Sequence, residues 1–376
     1  MIETNFKHTD IGLIPHDWEV KSLDSLFAFY AGGDIQKEYF SMTPQENKRY
    51  PIYSNSLENK GLYGYTSNPR YEANSITITG RGSLGHAEFR NHKFDAIVRL
   101  LVLQPKELVS GEFITNTINF YMPFVFESTG VPQLTVPQTA KALIPLPPTL
   151  AEQEKIANAL SKIDQLINDL GALIEKKKVI KQGTMQDLLT AKRRLKGFTG
   201  EWTSKQIIEI VGKIKRGQSL QSKDYKKGDI PVVAGGKQYA GFHNVANHHG
   251  RTITISGSGA NAGYVSFHAN PIFATDCSVI DDKGNFDLLF IYYVLQQRQN
   301  DIYKLQSGGA QPHIYPKNIE DIVSIFPPTL AEQNAIANIL SSMDTEITNL
   351  EQKRNKYIVI KQGMMQNLLT GKIRLI

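Results

Sequence analysis

The glycine-rich segment GRGSLG at residues 80–85 has the spacing of a phosphate-binding loop, because Gly80, Gly82 and Gly85 follow a predicted strand in a G-x-G-x-x-G pattern. Such a loop holds a dinucleotide when it opens into a helix whose N-terminal amides face the phosphates. Here the next residues, HAEFRNHKFDAIV, are typical of extended chain, and so is the continuation of a second glycine-rich segment, GSGANAG at 257–263. We therefore expect both segments to form tight turns between strands.

Two other patterns carry incomplete chemistry. Residues 68–71 read NPRY and differ at the third position from the Asn-Pro-Pro-Tyr signature of adenine methyltransferases, and no methyl-donor loop lies upstream. The histidines of HNVANHHGR at 243–251 lack the helical i, i+4 pair or the acidic partner of a metal site. No Walker A sequence and no convincing paired-acid arrangement stands out, although the members of a catalytic triad need not be neighbours in the chain. We expect no catalytic residue, no bound metal and no cofactor in this chain.

The composition of the whole chain is that of an ordinary globular protein with two or three folded parts. Of its 376 residues, 41% are hydrophobic and 21% are charged, and the formal net charge is +6. This basic balance permits a polyanionic partner without requiring one. The single cysteine, Cys277, excludes internal disulfides and multi-cysteine zinc sites. Since the N-terminus is polar and no apolar run reaches the roughly 18 residues of a membrane span, we expect a cytoplasmic protein with no membrane partner.

The seven residues PPTLAEQ occur at 147–153 and again at 327–333, as part of a longer duplication. Residues 147–195 align with residues 327–375 without a gap, and about 29 of the 49 positions are identical. The segments in front of the two copies are related only loosely: each opens near a tryptophan and continues with extended runs and glycine-rich turns. We predict a mixed α/β (α+β) chain with a globule, a helix, a variant globule and a near-identical helix at 1–147, 148–196, 197–326 and 327–376.

Each copy of the duplicated segment predicts a long helix with a marked start. Thr149 and Thr329 are suitable N-caps, and Glu152 and Glu332, three residues on, complete a capping box. A helix of this length, roughly 60 Å, cannot bury its apolar stripe alone. The helices could each lie on their own domain, but we favour mutual pairing because the two stripes match position for position. The predicted coiled-coil seam consists of Ile156, Leu160, Ile163, Ile167, Leu170 and Ile174 in the first copy and Ile336, Leu340, Met343, Ile347 and Leu350 in the second.

Two dissimilar globules, each followed by a near-copy of a helix that begins PPTLAEQ and ends IKQGxMQxLLTxKxRL, resemble the specificity subunits of type I restriction–modification systems. The resemblance covers essentially the whole chain. It implies that each globule is a target recognition domain that reads one half of a bipartite, asymmetric DNA site. It also implies that the helices pair as an antiparallel coiled coil, in a pseudo-twofold, cyclic layout, and set the spacing between the half-sites.

The same resemblance implies a subunit without catalytic activity of its own. The partners that it implies are double-stranded DNA, two methyltransferase (M) subunits and the restriction (R) subunits. S-adenosylmethionine for adenine-N6 methylation, ATP and Mg are then expected on the partner subunits. Because the second helix ends in TGKIRLI, which would continue naturally into a segment like IGLIPHDW at 11–18, we predict that the C-terminal residues lie beside the N-terminal segment.

Within this hypothesis the polar and basic loops of the globules are the candidates for DNA contact. Arg and Lys neutralise phosphates, whereas Arg, Asn, Gln and Ser can read base edges. Three alternatives stay open: solvated surface charge, a structural role for the pre-helix turns (STGVPQLTVP at 128–137 and SGGAQPHIYP at 307–316), and a coiled-coil adaptor that binds only protein. The candidates are Lys37, Arg70, Arg81, Ser83, His86, Arg90 and Gln133 in the first globule, and Lys215, Arg216, Lys226, Lys227, Lys237, His248, Arg251, Ser258, Asn261 and His313 in the second.

Overall fold

The chain folds as two compact units. The structure, a computed structural model, describes residues 5–122, 124 and 132–376. Unit 1 is formed by Met1–Leu170 together with Lys353–Ile376, and unit 2 by Gly171–Gln352. Each unit therefore contains one globule with the beginning of one long helix and the end of the other. Residues 128–131 of the first pre-helix segment lie outside the described residues.

The first globule is built from short strands and short helices, and the first long helix follows it. Its elements are β1 (Phe6–Thr9), β2 (Gly12–Pro15), β3 (Glu19–Ser22), α1 (Leu23–Leu26), β4 (Phe27–Ala31), β5 (Phe40–Ser41), β6 (Tyr50–Tyr53), β7 (Leu62–Thr66), β8 (Ser75–Ile78), β9 (Ala87–Arg90), β10 (Asp95–Ala96), β11 (Leu101–Pro105), α2 (Gly111–Tyr121), α3 (Val136–Ala140) and β12 (Leu143–Leu146), and the long helix is α4 (Leu150–Leu189).

The second globule has a similar series of elements and ends in the second long helix. They are β13 (Thr203–Gln206), α5 (Ile207–Val211), β14 (Lys215–Arg216), β15 (Ile230–Val233), β16 (Gly241–His243), β17 (Thr252–Ser256), β18 (Val265–His268), β19 (Phe273–Ala274), β20 (Cys277–Asp281), α6 (Leu288–Gln297), α7 (Gln299–Lys304), α8 (Pro316–Glu320), β21 (Val323–Phe326) and α9 (Leu330–Leu368).

The two globules share one sheet topology. In unit 1 an antiparallel sheet has the order β4–β11–β8–β9, and a second sheet has the order β10–β6–β7–β5 with a parallel β10–β6 pair. In unit 2 the orders β14–β20–β17–β18 and β19–β15–β16 repeat this arrangement, again with the outer β19 parallel to β15, although the described residues contain no counterpart of the edge strand β5. The central strands, SITI and TITIS, are buried along their length, where their β-branched residues pack well. The loose sequence relationship therefore reflects a common frame.

The core of unit 1 forms where the central strand, the globule helix α2 and the first turns of α4 meet. Trp18 packs edge-to-face against Phe113, with 6.3 Å between ring centroids. Ile76 of β8 and Ile156 and Leu160 of α4 are buried in the same cluster. Consequently the first turns of the long helix complete the core of the globule that precedes them.

In unit 1 the beginning of α4 and the end of α9 run antiparallel. Asp164 of α4 lies 2.7 Å from Lys361 of α9, while Glu152, earlier in α4, contacts Arg374, beyond the end of α9. The predicted mutual pairing of the helices is therefore confirmed in this unit.

In unit 2 the other ends of the helices pair in the same sense. Lys181 Nζ lies 2.5 Å from Asp344 Oδ1, and Lys178 Nζ lies 3.0 Å from Glu351 Oε1. Because the earlier residue of α4 meets the later residue of α9, this pair is also antiparallel. Across the predicted seam, Ile156, Leu160, Ile163, Leu170, Ile174, Ile336, Leu340 and Ile347 are buried, whereas Ile167, Met343 and Leu350 are partly buried.

The C-terminal residues pack into unit 1. Leu369 is buried in the same core as Trp18, and its carbonyl accepts a hydrogen bond of 3.2 Å from the Tyr121 hydroxyl. Gly371 has a φ of +68°, and a Cβ at this position would lie 2.2 Å from the Pro15 ring, so a glycine is required for this approach. The predicted proximity of the C-terminal and N-terminal segments is confirmed.

Candidate nucleic-acid interface

The glutamate of the first PPTLAEQ motif is bound to the C-terminal segment. Glu152 is 2% exposed, and its carboxylate accepts hydrogen bonds from Arg374 Nε at 2.5 Å and Nη2 at 2.8 Å. Arg374 also donates to both oxygens of Asp17, at 2.7 and 2.8 Å. These hydrogen bonds raise the pKa of Arg374 and lower the pKa of Asp17. A carboxylate buried this deeply needs a charged partner, because an unpaired buried charge is costly.

The predicted capping boxes are only half right. Thr149 Oγ1 accepts a hydrogen bond of 3.3 Å from the Glu152 backbone N–H, and Thr329 accepts the same bond from Glu332. The return bond, from the cap backbone to the glutamate side chain, is absent among the described residues. A capping box is defined only by the N-cap residue and the residue three positions later in the same helix. Here an arginine distant in sequence binds each glutamate instead.

Unit 2 repeats this connection. Arg194 donates to the two oxygens of Glu332 at 2.9 and 2.8 Å, and Trp202 Nε1 donates to the same carboxylate at 3.2 Å. In unit 1 the corresponding indole, Trp18, lies under the guanidinium of Arg374, 5.7 Å from it. The two tryptophans therefore belong to the joints between a globule and the helix pair.

The glutamine of each motif ties the long helix to a helix of the same globule. Gln153 Oε1 accepts a hydrogen bond of 3.0 Å from the backbone N–H of Ser110, which is the N-cap of α2. Gln333 Oε1 accepts an equivalent bond of 3.0 Å from Asp287, the N-cap of α6. The duplicated motif is thus a structural joint that orients each globule on its helices.

Both glycine-rich segments form turns between strands, as the sequence predicted, since residues 80–85 connect β8 to β9 and residues 257–263 connect β17 to β18. In unit 1, Asn55 Oδ1 accepts a hydrogen bond of 2.8 Å from Gly80 N–H, and Asn55 Nδ2 donates to the Val98 carbonyl at 2.7 Å. The backbone N–H of Leu134 donates to the Gly80 carbonyl at 3.0 Å. We define loop cluster 1 as Asn55, residues 80–86, Val98–Arg99 and residues 132–135.

Loop cluster 1 contains a strained turn that sequence reasoning missed. Val98 and Arg99 both have positive φ, 54° and 57°, and the Leu100 N–H closes the turn onto the Ile97 carbonyl at 3.1 Å. A β-branched residue is a marked outlier in this region, and such strain concentrates at functional sites. Arg99 is exposed on this turn. The run AIVRL carries no turn residue, so nothing in the sequence indicated a loop here.

The candidates of the first globule fall into different surroundings. Arg81, Ser83 and Gln133 are exposed in loop cluster 1. His86, at its edge, forms a 3.1 Å hydrogen bond with Glu88. Lys37 is exposed between β4 and β5, outside the cluster.

Two of the predicted arginines are used inside the globule. Arg90 is 4% exposed, and it donates to Thr77 Oγ1 at 3.0 Å and to the Lys60 carbonyl at 2.9 Å. Burial lowers the pKa of Arg90, whose guanidinium lies 3.5 Å from the centroid of the Tyr53 ring. Arg70 Nε donates to the buried Asp95 at 2.6 Å. These geometries assign Arg70 and Arg90 to the support of the loops, and their contact with DNA stays an untested prediction.

The loops of unit 2 converge in the same way. Gly259 N–H donates to the Pro312 carbonyl at 3.0 Å, and Ser307 and His313 exchange backbone hydrogen bonds of 3.0 and 2.8 Å. The Ser258 hydroxyl donates to the Asp276 carboxylate. We define loop cluster 2 as residues 235–237, residues 257–261, Asp276 and residues 307–315.

Aromatic contacts place basic side chains at loop cluster 2. His313 stacks on Tyr315 with 6.3 Å between centroids, and the Arg216 guanidinium lies 5.6 Å from the same tyrosine ring. Lys237 Nζ lies 5.3 Å from the ring of Tyr264, whose N–H donates to the Asn261 carbonyl at 2.9 Å. The fold therefore brings together five of the predicted residues of unit 2, namely Arg216, Lys237, Ser258, Asn261 and His313.

The remaining candidates of unit 2 are not part of this group. His248 and Arg251 precede β17, whereas loop cluster 2 follows its other end. His248 Nδ1 lies 2.7 Å from Asp281, and this hydrogen bond lowers the pKa of Asp281. Arg251 pairs with Asp282 at 2.5 Å. Three further lysines are exposed, Lys215, Lys226 and Lys227.

Comparison with known proteins relates this architecture to a family. Residues 15–182 and residues 199–359 each match the family model described as the type I restriction modification DNA specificity domain. The chain belongs to this family. The second globule lies within one matched segment and the first, from β3 onward, lies within the other, so the chain carries two DNA specificity domains.

Individual relatives agree with this assignment. The chain is 27% identical to a putative type I restriction enzyme MjaX specificity subunit of Methanocaldococcus jannaschii, over 99% of this chain and 97% of the relative. It is 23% identical to a putative type I specificity subunit of Mycoplasma genitalium, over 94% of each. The crystal structure of the type I restriction–modification system S subunit from M. genitalium shares the fold, with a TM-score of 0.72 at 20% identity over 93% of this chain and 96% of that one. Within the described ranges no helix is long and apolar enough to cross a membrane.

Proposed function

We propose that this specificity subunit directs a type I restriction–modification complex to a bipartite, asymmetric DNA site, with one globule reading each half. The observation that carries this proposal concerns loop clusters 1 and 2. Both are built around the equivalent strand connection, β8 to β9 in unit 1 and β17 to β18 in unit 2, but they present different side chains. Arg81, Ser83 and Arg99 belong to the first, whereas Lys237 and His313 belong to the second. Different donors and acceptors distinguish different base pairs in the major groove.

Exposed lysines outside or beside the clusters supply the part of the binding that does not depend on sequence. Lys37 in the first globule, and Lys215, Lys226 and Lys227 in the second, are suited to phosphate contact. Arg70 and Arg90 hold the first globule from within. This division assigns affinity to the lysines and base recognition to the loop clusters.

The helices favour a partner that binds in two copies. Val179 and Val359 occupy equivalent positions of the duplicated VIKQG segment and are 69% and 65% exposed, and Ile180 and Ile360 beside them are also exposed. Exposed apolar residues mark interaction surfaces, and one patch presented twice fits two copies of one partner. We name these residues the VI patches.

We assign the VI patches to two methyltransferase subunits. These subunits would bring S-adenosylmethionine and the adenine-N6 chemistry, and restriction subunits would bring ATP- and Mg-dependent cleavage. In this assignment the specificity subunit contributes no catalytic residue. Its helices set the distance between the half-sites, and linking the two globules makes binding of the second half-site intramolecular.

Methylome sequencing of cells that express this chain with its methyltransferase subunit tests the proposal. A single bipartite methylation motif is expected. Replacing residues 197–326 by the corresponding segment of another family member should change one half of the motif and preserve the other. A change in both halves would contradict modular recognition. Methylation without sequence preference would favour an adaptor that binds only protein, and methylation by the purified chain alone would contradict its non-catalytic role.

A further inference from the structure

The equivalent helices α2 and α6 differ at one place that matters for binding. Their N-caps, Ser110 and Asp287, accept hydrogen bonds from Phe113 and Phe290, which are therefore equivalent residues. Counting two and three positions further places Thr115 and Asn116 of α2 where α6 has Tyr292 and Tyr293. Unit 1 thus has two small polar residues where unit 2 has two large aromatic ones.

In unit 2 these tyrosines fill the space between α6, β18 and the helix pair. The Tyr293 hydroxyl donates to Asp344 Oδ2 at 2.8 Å, while Lys181 Nζ lies 2.5 Å from the other oxygen of Asp344. The same ammonium lies 5.4 Å from the centroid of the Tyr293 ring. Tyr292 packs against Phe267 of β18, with 5.6 Å between centroids. The Tyr293 phenol, the Asp344 carboxylate and the Lys181 ammonium thus form one group in mutual contact.

In unit 1 the corresponding space is a cleft of about 470 Å³. This volume falls within the roughly 300–1,000 Å³ of typical ligand pockets. Its walls include Phe89, Asn116, Asp164 and Lys361. By the 180-residue offset of the duplication, Asp164 and Lys361 are the counterparts of Asp344 and Lys181.

The cleft retains the carboxylate and the ammonium of this group, as Asp164 and Lys361. Lys361 Nζ lies 2.7 Å from Asp164 Oδ1. The second oxygen, Asp164 Oδ2, has no hydrogen-bond partner among residues 5–122, 124 and 132–376. The Thr115 hydroxyl and Asn116 Nδ2 donate instead to the carbonyls of Gly111 and Glu112, at 2.8 and 3.0 Å.

We propose that this cleft of unit 1 is a binding site for a phenol, and that its occupant is a tyrosine side chain of a partner protein. The phenol hydroxyl donates to Asp164 Oδ2, and the ring lies beside Lys361, as Tyr293 does with Asp344 and Lys181. The chain itself therefore supplies the template for the complex. A hydrogen bond to a charged acceptor gives selectivity for tyrosine over phenylalanine.

The position of the cleft favours a partner that binds the long helices. Lys361 lines the cleft and belongs to the same turn of α9 as Val359 and Ile360, the VI patch of unit 1, so a protein seated on this patch contacts the turn that forms one wall of the cleft. In naming the methyltransferase subunit as that protein, the inference rests on the proposed function. The chemistry of the cleft does not depend on it.

Titration of the purified chain with N-acetyl-tyrosinamide, followed through the NMR signal of the Thr115 methyl group, tests the chemistry. N-acetyl-phenylalaninamide is the matched control, and its affinity should be about tenfold lower. The variant Thr115→Tyr/Asn116→Tyr should close the cleft and lose binding, which is then followed by calorimetry. The reciprocal variant Tyr292→Thr/Tyr293→Asn should gain a second site in unit 2. Equal affinity for both amides, or unchanged binding to the closed variant, overturns the proposal even if the reciprocal variant does not fold.

A second measurement tests the partner. Assembly of the closed variant with the methyltransferase subunit should be at least about tenfold weaker than that of the unchanged chain, by calorimetry. Unchanged assembly would overturn the docking role and would assign the cleft to a free aromatic compound. If the wild-type complex shows no DNA sequence preference, the proposed function fails, but the amide titration still decides the chemistry of the cleft.

Discussion

Glu152 and Arg374, which stand 222 positions apart, are joined by two hydrogen bonds of 2.5 and 2.8 Å inside unit 1. Glu152 lies in the first turn of α4, and Arg374 follows the end of α9. The pair therefore fixes the beginning of one long helix to the end of the other. Glu332 and Arg194 form the same connection in unit 2.

Glu152→Ala should lower the free energy of unfolding by about 3 kcal/mol, because it leaves Arg374 without its buried partner. Urea denaturation measures this loss. The control is Glu154→Ala, at an exposed position two residues further along the same helix, which should change the free energy of unfolding by less than about 0.5 kcal/mol. The double variant Glu152→Leu/Arg374→Met should be more stable than Glu152→Ala, since it removes both buried charges. A double variant that loses more than the single one would contradict this account.

Arg81→Ala should weaken binding of the methyltransferase complex to its cognate DNA about tenfold and relax recognition in one half-site only, because a bidentate base contact is worth roughly 1–3 kcal/mol. Arg99→Ala should affect the same half-site. Fluorescence anisotropy with single-base variants of the site measures both. Lys37→Ala is the comparison, with an even loss on all sequences and a shallower salt dependence. An even loss for Arg81→Ala would assign Arg81 to phosphate contact.

Stability of unit 2 should fall as the pH drops below about 6.5. Burial lowers the pKa of His268 to about 4, and its ring lies 2.9 Å from Thr254 Oγ1. Since the unfolded histidine has a pKa near 6.5, the unfolded state takes up the proton first on acidification. The His268 contribution is complete above pH 6.5 and declines by about 2.5 kcal/mol at pH 4.5. The difference in unfolding free energy between pH 7 and pH 4.5 should shrink by this amount in His268→Gln and stay unchanged in the exposed His249→Gln.

Cys277 should react with thiol reagents only after unfolding. It is 1% exposed, and burial raises the pKa of its thiol to about 12, so very little reactive thiolate is present near neutral pH. Ellman's reagent at pH 8 should modify the native chain at least about a hundredfold more slowly than the chain in urea. An added cysteine at an exposed position, Ser342→Cys, is the positive control. Rapid modification of native Cys277 would show that unit 2 opens far more readily than its packing implies.

Val359→Asp should remove one methyltransferase subunit from the complex, and Val179→Asp should do the same, because a charge in an apolar interface is costly. The mass of the complex by light scattering reports the stoichiometry. The double variant should bind none. Asn355→Asp, exposed on the same helix, serves as the matched control. Loss of both subunits from either single variant would mean that the two patches do not act separately.

The duplication and its heptad spacing made the helices, their pairing and the position of the C-terminal segment predictable. The partner of Glu152 was not predictable in the same way, because Arg374 is distant in sequence and nothing local signals the bond. The turn at Val98 and Arg99 was missed for a related reason: its conformation is imposed by hydrogen bonds from Asn55 and the neighbouring loop rather than by its own residue types. The burial of Arg90 depends on the sheet register that sets it opposite Ser75 and beside Thr77.

Because unit 1 is formed from two separate stretches of the chain, its composition affects the order in which the two units fold during synthesis. Unit 2 is one uninterrupted stretch, Gly171–Gln352, whereas unit 1 needs Lys353–Ile376 to complete the core around Trp18 and to pair Glu152. A ribosome makes the first globule early but delivers its final piece last, and domains fold as their residues emerge. The nascent first globule therefore lacks part of its core while unit 2 is being synthesised. Only after residues 353–376 emerge is the core of unit 1 complete.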